Sequence, residues 1–285
     1  MSFAFWAWSA LFFYVIEILL GKILARHLVK NPWLFNFVWS LFILMLLVPP
    51  ALMANVRVPG QWTDLLIASF FYALCSILYI FCLFRLDVSV LSPLFNVRTA
   101  LSVFLGALLL AEWLTPRQYA LIGVIIVAGF VVSIDEKFNL RSLFSRRMIL
   151  AFALMVDLAL MGIYVNRAVA AVGFWEATLW MAIIAQFMYL VTAPYFIDDL
   201  KRISRKQIGA LLIMALAGTL GTVAVNKAYA INVSLTSVII SIPLSPVVAF
   251  LCSTRWPELL EYHPKRVYVI RLTVTAVMVL AAIAL

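Results

Sequence analysis

A chain of 285 residues that is 66% hydrophobic and 12% charged lies far from the roughly 45–50% apolar and about 25% charged make-up of soluble domains. A mean hydropathy of +1.12 leaves no stretch polar enough for a water-facing domain, which excludes a soluble enzyme, a nucleic-acid module and a disordered protein. The net charge of +9 fits cationic loops beside anionic lipid headgroups, so the bilayer is the expected partner and nucleic acid is not.

A membrane-spanning helix needs about 20 apolar residues. Apolar runs broken by charge, proline or glycine predict helical spans over 3–26, 33–55, 63–84, 88–111, 117–134, 148–170, 174–197, 207–230, 233–253 and 265–285. Their length and continuity point to helices, since a transmembrane strand is about ten residues of alternating polarity. The first run starts at Ser2 without a basic leader or a small-residue cleavage site and is read as a retained span. Span one carries Tyr14 and Glu17, span two Trp39, and span three Cys75, Tyr79 and Cys82. Span four holds Pro93, Asn96, Arg98 and Ser102 and closes on Glu112. The segment 135–147 then gathers Asp135, Glu136, Lys137, Arg141, Arg146 and Arg147, where a linker between two halves is expected. Span six carries Asp157 and Tyr164, span seven Trp180, and span eight Asn226 and Lys227. Pro243, Pro246 and Cys252 follow in span nine. The cysteines have no metal or redox spacing and read as packing residues.

Internal similarity supports two halves, 1–134 and 148–285, joined by the cytoplasmic linker 135–147. A shift of 145 lays Leu86-Asp87-Val88-Ser89 on Ile231-Asn232-Val233-Ser234, and a shift of 141 lays Gly21 on Gly162, Arg26 on Arg167 and Trp39 on Trp180. Both shifts map span one to span six and span four to span nine. A half with five spans ends on the side opposite its start, so its copy enters upside down, an arrangement that places a transport site at the midplane. The expected fold is therefore an all-α membrane protein: ten transmembrane helices in two inverted five-helix repeats around a central cavity. Lys and Arg divide sixteen to one face and four (Arg57, Arg117, Arg167 and Lys227) to the other, with Arg98 left inside the membrane. The richer face is expected to be cytoplasmic, with both termini outside a multi-pass inner-membrane protein.

The stretch LSPLFNVRTALSVFLGALLLAEWLTPRQYALIGVIIVAGFVV, Leu91 to Val132, resembles the second half of an EamA-type repeat of the drug/metabolite transporter superfamily. Pro93, Gly106 and Glu112 in the fourth span and Gln118, Gly123 and Gly129 after it carry the match. Pro243, Pro246 and Glu258 are their counterparts in the second copy, whose last span lacks the glycines. The resemblance implies ten helices in two inverted repeats and a cavity that opens alternately to each side to move amino acids, nucleotide sugars, drugs or other small metabolites. Similar ten-helix members keep both termini in the cytoplasm, the reverse of what the charge count gives here.

Charges at membrane depth are costly and point to function. Glu17 and Asp157 sit within roughly 5 Å of their span centres, and Arg98 lies near the centre of span four. Two readings of these three residues stand: an internal ion-pair network that locks the bundle, or a cavity in which an acid binds a cationic group or a proton and Arg98 binds an anionic one. Tyr79, Asn96, Tyr164, Asn226 and, more weakly, Trp180 are candidates for the same space, each with an ordinary interhelical hydrogen bond as its alternative. Glu112 is read as a contact to a neighbouring helix end. No GxSxG, GxxxxGK[ST], HExxH or Cys/His cluster is present, so neither an enzyme nor a cofactor or metal is expected. The reading is a secondary transporter of a small polar or zwitterionic, amino-acid-like metabolite, with a proton as candidate coupling ion and a monomer or homodimer as the working unit. The alternatives are a flippase for a lipid-linked headgroup, a drug or cation exporter, and a non-transporting scaffold.

Overall fold

The computed structural model describes residues 2–86, 88–132, 146–242, 244, 248 and 265–284. Most of the predicted linker lies outside these residues, as do Asp87, Pro243, Pro246, Cys252 and Glu258. The described chain is helical, without strands: α1 (Phe3–His27), α2 (Pro32–Met53), α3 (Thr63–Arg85), α4 (Val88–Leu110), α5 (Pro116–Val132), α6 (Arg146–Val172), α7 (Phe174–Leu190), the short α8 (Ile197–Leu200), α9 (Arg205–Tyr229), α10 (Val233–Ile240) and α11 (Lys265–Ile283). Five of these, α1, α2, α3, α6 and α9, are long and apolar enough to cross a membrane, and the remaining long helices include shorter apolar stretches. Large side chains such as Phe12, Phe104, Leu108 and Phe187 are exposed along the helices, an outer surface that suits lipid rather than water. The chain is a multi-pass membrane protein.

Local chemistry sets the helix boundaries. Asn31 caps α2, its side-chain oxygen accepting from the N–H groups of Trp33 at 2.9 Å and Leu34 at 3.3 Å, with Pro32 at the first helical position where no N–H is needed. Thr115 and Gln118 form a reciprocal capping box before α5, and Ser204 and Gln207 form another before α9. Gly173 takes φ +95 between α6 and α7, a conformation that a side chain would strain. The predicted span 174–197 is shorter as a helix. It stops at Leu190, a 3-10 turn covers Ala193–Tyr195, and Pro194 has no N–H with which to continue the ladder.

Packing crosses between the two halves. α1 lies on α9 and α3 on α6, α2 touches α9 and α3 touches α7, and α2 meets α7, α4 meets α10 and α5 meets α11. Gly218 and Gly221 allow α9 to approach α1: a Cβ at Gly221 would lie 2.7 Å from the Tyr14 ring, and one at Gly218 would lie 3.3 Å from the Glu17 carboxyl carbon. The loops sort by end. At the end rich in Lys and Arg, Asn31 donates to Tyr195 O (2.9 Å) and Asp199 (2.6 Å), and Gln207 donates to Leu28 O (2.7 Å). At the other end Arg167 pairs with Asp64 at 3.1 Å and the Trp180 indole donates to Arg57 O at 3.0 Å.

Candidate functional site

Where α1, α2, α3, α4, α6, α9 and α10 converge, they enclose a cavity of ≈ 140 Å³. Two of its lining residues carry charge, Glu17 from α1 and Arg98 from α4, both at least nine-tenths buried. Tyr14, Trp39, Tyr72, Tyr79, Phe95 and Tyr229 supply an aromatic wall, with Ser76, Thr222 and Ser241 as hydroxyl groups. α10 ends beside the cavity at Ile240, and Ser241 and Ile242 complete the lining. Proline at 243 explains that end, because the residue before a proline is pushed out of the helical region and proline offers no N–H.

The polar atoms of the lining are poorly matched within the protein. A guanidinium NH2 of Arg98 donates to the Tyr229 hydroxyl, while Arg98 Nε has no partner. The Tyr79 hydroxyl and the Trp39 indole N–H are likewise buried and unpartnered. Among the described residues no salt bridge joins Glu17, Arg98 and Asp157, so the ion-pair network considered from the sequence is not drawn here. A buried charge without a counter-ion costs several kcal/mol. A cavity that keeps a cation, a carboxyl group and orphan donors together is suited to a polar solute that completes them.

The residues singled out from the sequence divide in place. Glu17, Arg98 and Tyr79 line the cavity together. Asp157 is buried beside the Cys75 thiol of the lining, with no hydrogen bond closed to either carboxylate oxygen among the described residues. Asn96 is buried two residues before Arg98 and is not part of the lining. Asn226 donates to Thr178 on α7 at 3.3 Å, Tyr164 stacks on Phe71 with centroids 5.4 Å apart, and Trp180 binds Arg57 O and meets Trp62 edge-on. These three stand outside the lining. Tyr72, Thr222, Tyr229 and Ser241 are lining residues that the sequence did not single out. Tyr72 lies two helical turns from Tyr79 and was findable by that spacing, whereas nothing in the sequence marks Tyr229.

Glu112 does what the sequence suggested. Its carboxylate accepts from the N–H of Val233 at 2.7 Å and from the N–H and hydroxyl of Ser234 at 2.9 and 2.7 Å, capping the N-terminus of α10. Gly106 faces the same contact, since a Cβ there would run into the Ser234 hydroxyl and the Glu112 carboxylate.

Among solved structures, one described as a crystal structure of protein matches with a TM-score of 0.65 over 96% of this chain and 94% of its own. Its sequence identity is 16%, so the likeness concerns the fold alone. No curated protein matches the sequence. The model of the EamA-like transporter family matches residues 1–134. That match is in keeping with the drug/metabolite transporter superfamily, whose repeat the stretch Leu91 to Val132 resembles.

Proposed function

We propose that this protein is a secondary transporter that moves a small zwitterionic, amino-acid-like metabolite by alternating access. The observation that carries the reading is the cavity itself, with a buried acid and a buried guanidinium that do not pair with each other. A zwitterion brings both missing partners: its ammonium group to Glu17 and its anion to Arg98. A purely cationic drug would leave Arg98 uncompensated and add a like charge to the same small space. The family matched by residues 1–134 is one of transporters, in line with this reading.

The proposed architecture is ten transmembrane helices in two inverted repeats, 1–134 and 148–285. Exchanging α1 to α5 for α6, α7, α9, α10 and α11 in order turns the α1–α9 contact into α6–α3 and the α2–α9 contact into α7–α3. The pairs α2–α7, α4–α10 and α5–α11 map onto themselves. Such an exchange is what a two-fold axis in the membrane plane requires, and the cavity lies where the two sets meet. In the proposed orientation the Lys- and Arg-rich end faces the cytoplasm of an inner-membrane protein, with both termini outside.

Solute counterflow tests the function. Proteoliposomes of the purified protein, preloaded in turn with amino acids and related zwitterions, should take up the labelled form of at least one of them. Absence of exchange for the whole panel, with the protein folded and inserted, overturns the reading.

A further inference from the structure

We infer that Arg98 and Tyr229 together form a carboxylate-binding subsite, in which the tyrosine hydroxyl donates the second hydrogen bond to the ligand. This rests on the transporter reading above and deepens it by naming the group recognised. Both residues line the cavity, Arg98 from α4 in the first half and Tyr229 from the last position of α9 in the second. Arg98 donates to the tyrosine oxygen. An oxygen that accepts from a guanidinium keeps its own proton to give away. Arg98 Nε–H is buried and has no protein partner. The pair therefore offers two donors of different origin, and no carboxylate of the described chain reaches the guanidinium.

The surroundings hold Tyr229 in that position. It is fully buried, and its backbone carbonyl accepts from Asn166 Nδ2 at 2.6 Å. Gly162 faces its ring so closely that a Cβ would lie 3.2 Å from Cζ. The Ser237 hydroxyl on α10 lies beside the tyrosine hydroxyl without closing a hydrogen bond, and is itself buried and unpartnered. A group positioned this firmly, with donors left over, is preorganised for an acceptor that it lacks. A planar carboxylate fits a guanidinium edge because its two oxygens match the spacing of the N–H groups, a match that an ammonium cannot reproduce. Because the two donors come from opposite halves, a carboxylate held by both also bridges the parts that alternating access must move.

The test uses matched pairs of probes on the full chain in detergent: a panel of α-amino acids, keto acids and dicarboxylates, each beside its carboxamide. The readout is ligand-induced thermal stabilisation. At least one acid should stabilise the wild-type protein while its carboxamide does not. Tyr229→Phe keeps the ring that packs on Gly162 but removes the acceptor of an Arg98 N–H, so it should unfold at a somewhat lower temperature without ligand, and the ligand-induced shift is read from that baseline. Its half-saturating acid concentration should rise by about ten-fold or more, as loss of one hydrogen bond to a charged group implies. Arg98→Lys, which keeps the charge but not the planar fork, should lose most of the preference for acid over amide. Equal stabilisation by acids and carboxamides, stabilisation by none of the acids, or wild-type affinity in Tyr229→Phe overturns the inference. Acid binding that depends on Tyr229 but is not accompanied by counterflow would leave the subsite standing and remove the transporter reading.

Discussion

At the scale of single residues, the sequence shows charge far better than it shows facing. Glu17 and Arg98 were legible because a charge in an apolar run is conspicuous and must be turned away from lipid. Thr222 and Tyr229 were not, because a helix flanked by lipid on one side and protein on the other is apolar all round, so its pattern does not reveal which face looks inward. Tyr164, Asn226 and, more weakly, Trp180 were candidates for the cavity in sequence, yet their polar and aromatic groups are directed at neighbouring helices and a loop. Glycines offer a sharper test of the same geometry. Gly221→Ala places a Cβ against the Tyr14 ring and is expected to destabilise the protein by about 1–3 kcal/mol, as overpacking does. Gly209→Ala meets nothing within 4 Å and should leave the melting temperature unchanged or slightly raised. Thermal unfolding of the two variants side by side checks the close approach of α1 to α9.

At the scale of elements, boundaries followed the sequence where caps are local. The Ser204 and Gln207 capping box and Pro32 after Asn31 can be read from the sequence alone. The end of α7 was misplaced because the apolar run continues through Val191 to Ile197 while Pro194 breaks the helix within it. The cap on α10 is the opposite case: its acceptor, Glu112, lies 121 residues before Val233. This contact fixes the helix whose far end lines the cavity, so its loss should be felt in both stability and binding. Glu112→Gln retains one oxygen but offers an amide N–H where a second acceptor is needed. It should cost about 1–3 kcal/mol, the range for orphaning a buried donor. The measurement is denaturation in detergent, and an unchanged midpoint would show that α10 is held by other means.

At the scale of the whole molecule, the helical character of the runs and their membrane setting were legible in the sequence, but the partner of each helix was not. No residue pattern announces that α1 seats on α9 or α3 on α6. Gly21 and Gly221 allow the close approach of α1 and α9, and Gly162 that of α6 and the end of α9, and their value appears only when the facing side chains, Met214, Tyr14 and Tyr229, are known. The division of basic residues between the two ends, by contrast, can be counted directly and sets the proposed orientation. A single cysteine introduced at Ser142, in a chain stripped of its native cysteines, should resist an impermeant thiol reagent applied to intact cells and react once the membrane is opened. Labelling from outside would reverse the topology and leave the helix arrangement intact.

The claim on which the functional account rests is that Glu17 and Arg98 hold the two ends of a zwitterion in the central cavity. Counterflow by Arg98→Gln and Glu17→Gln in proteoliposomes tests it most directly, with folding of each variant verified by its unfolding temperature in detergent. Arg98→Gln should fold yet lose at least nine-tenths of the exchange seen with the wild-type substrate, and Glu17→Gln should also be impaired. Exchange at the wild-type rate by both folded variants would contradict it.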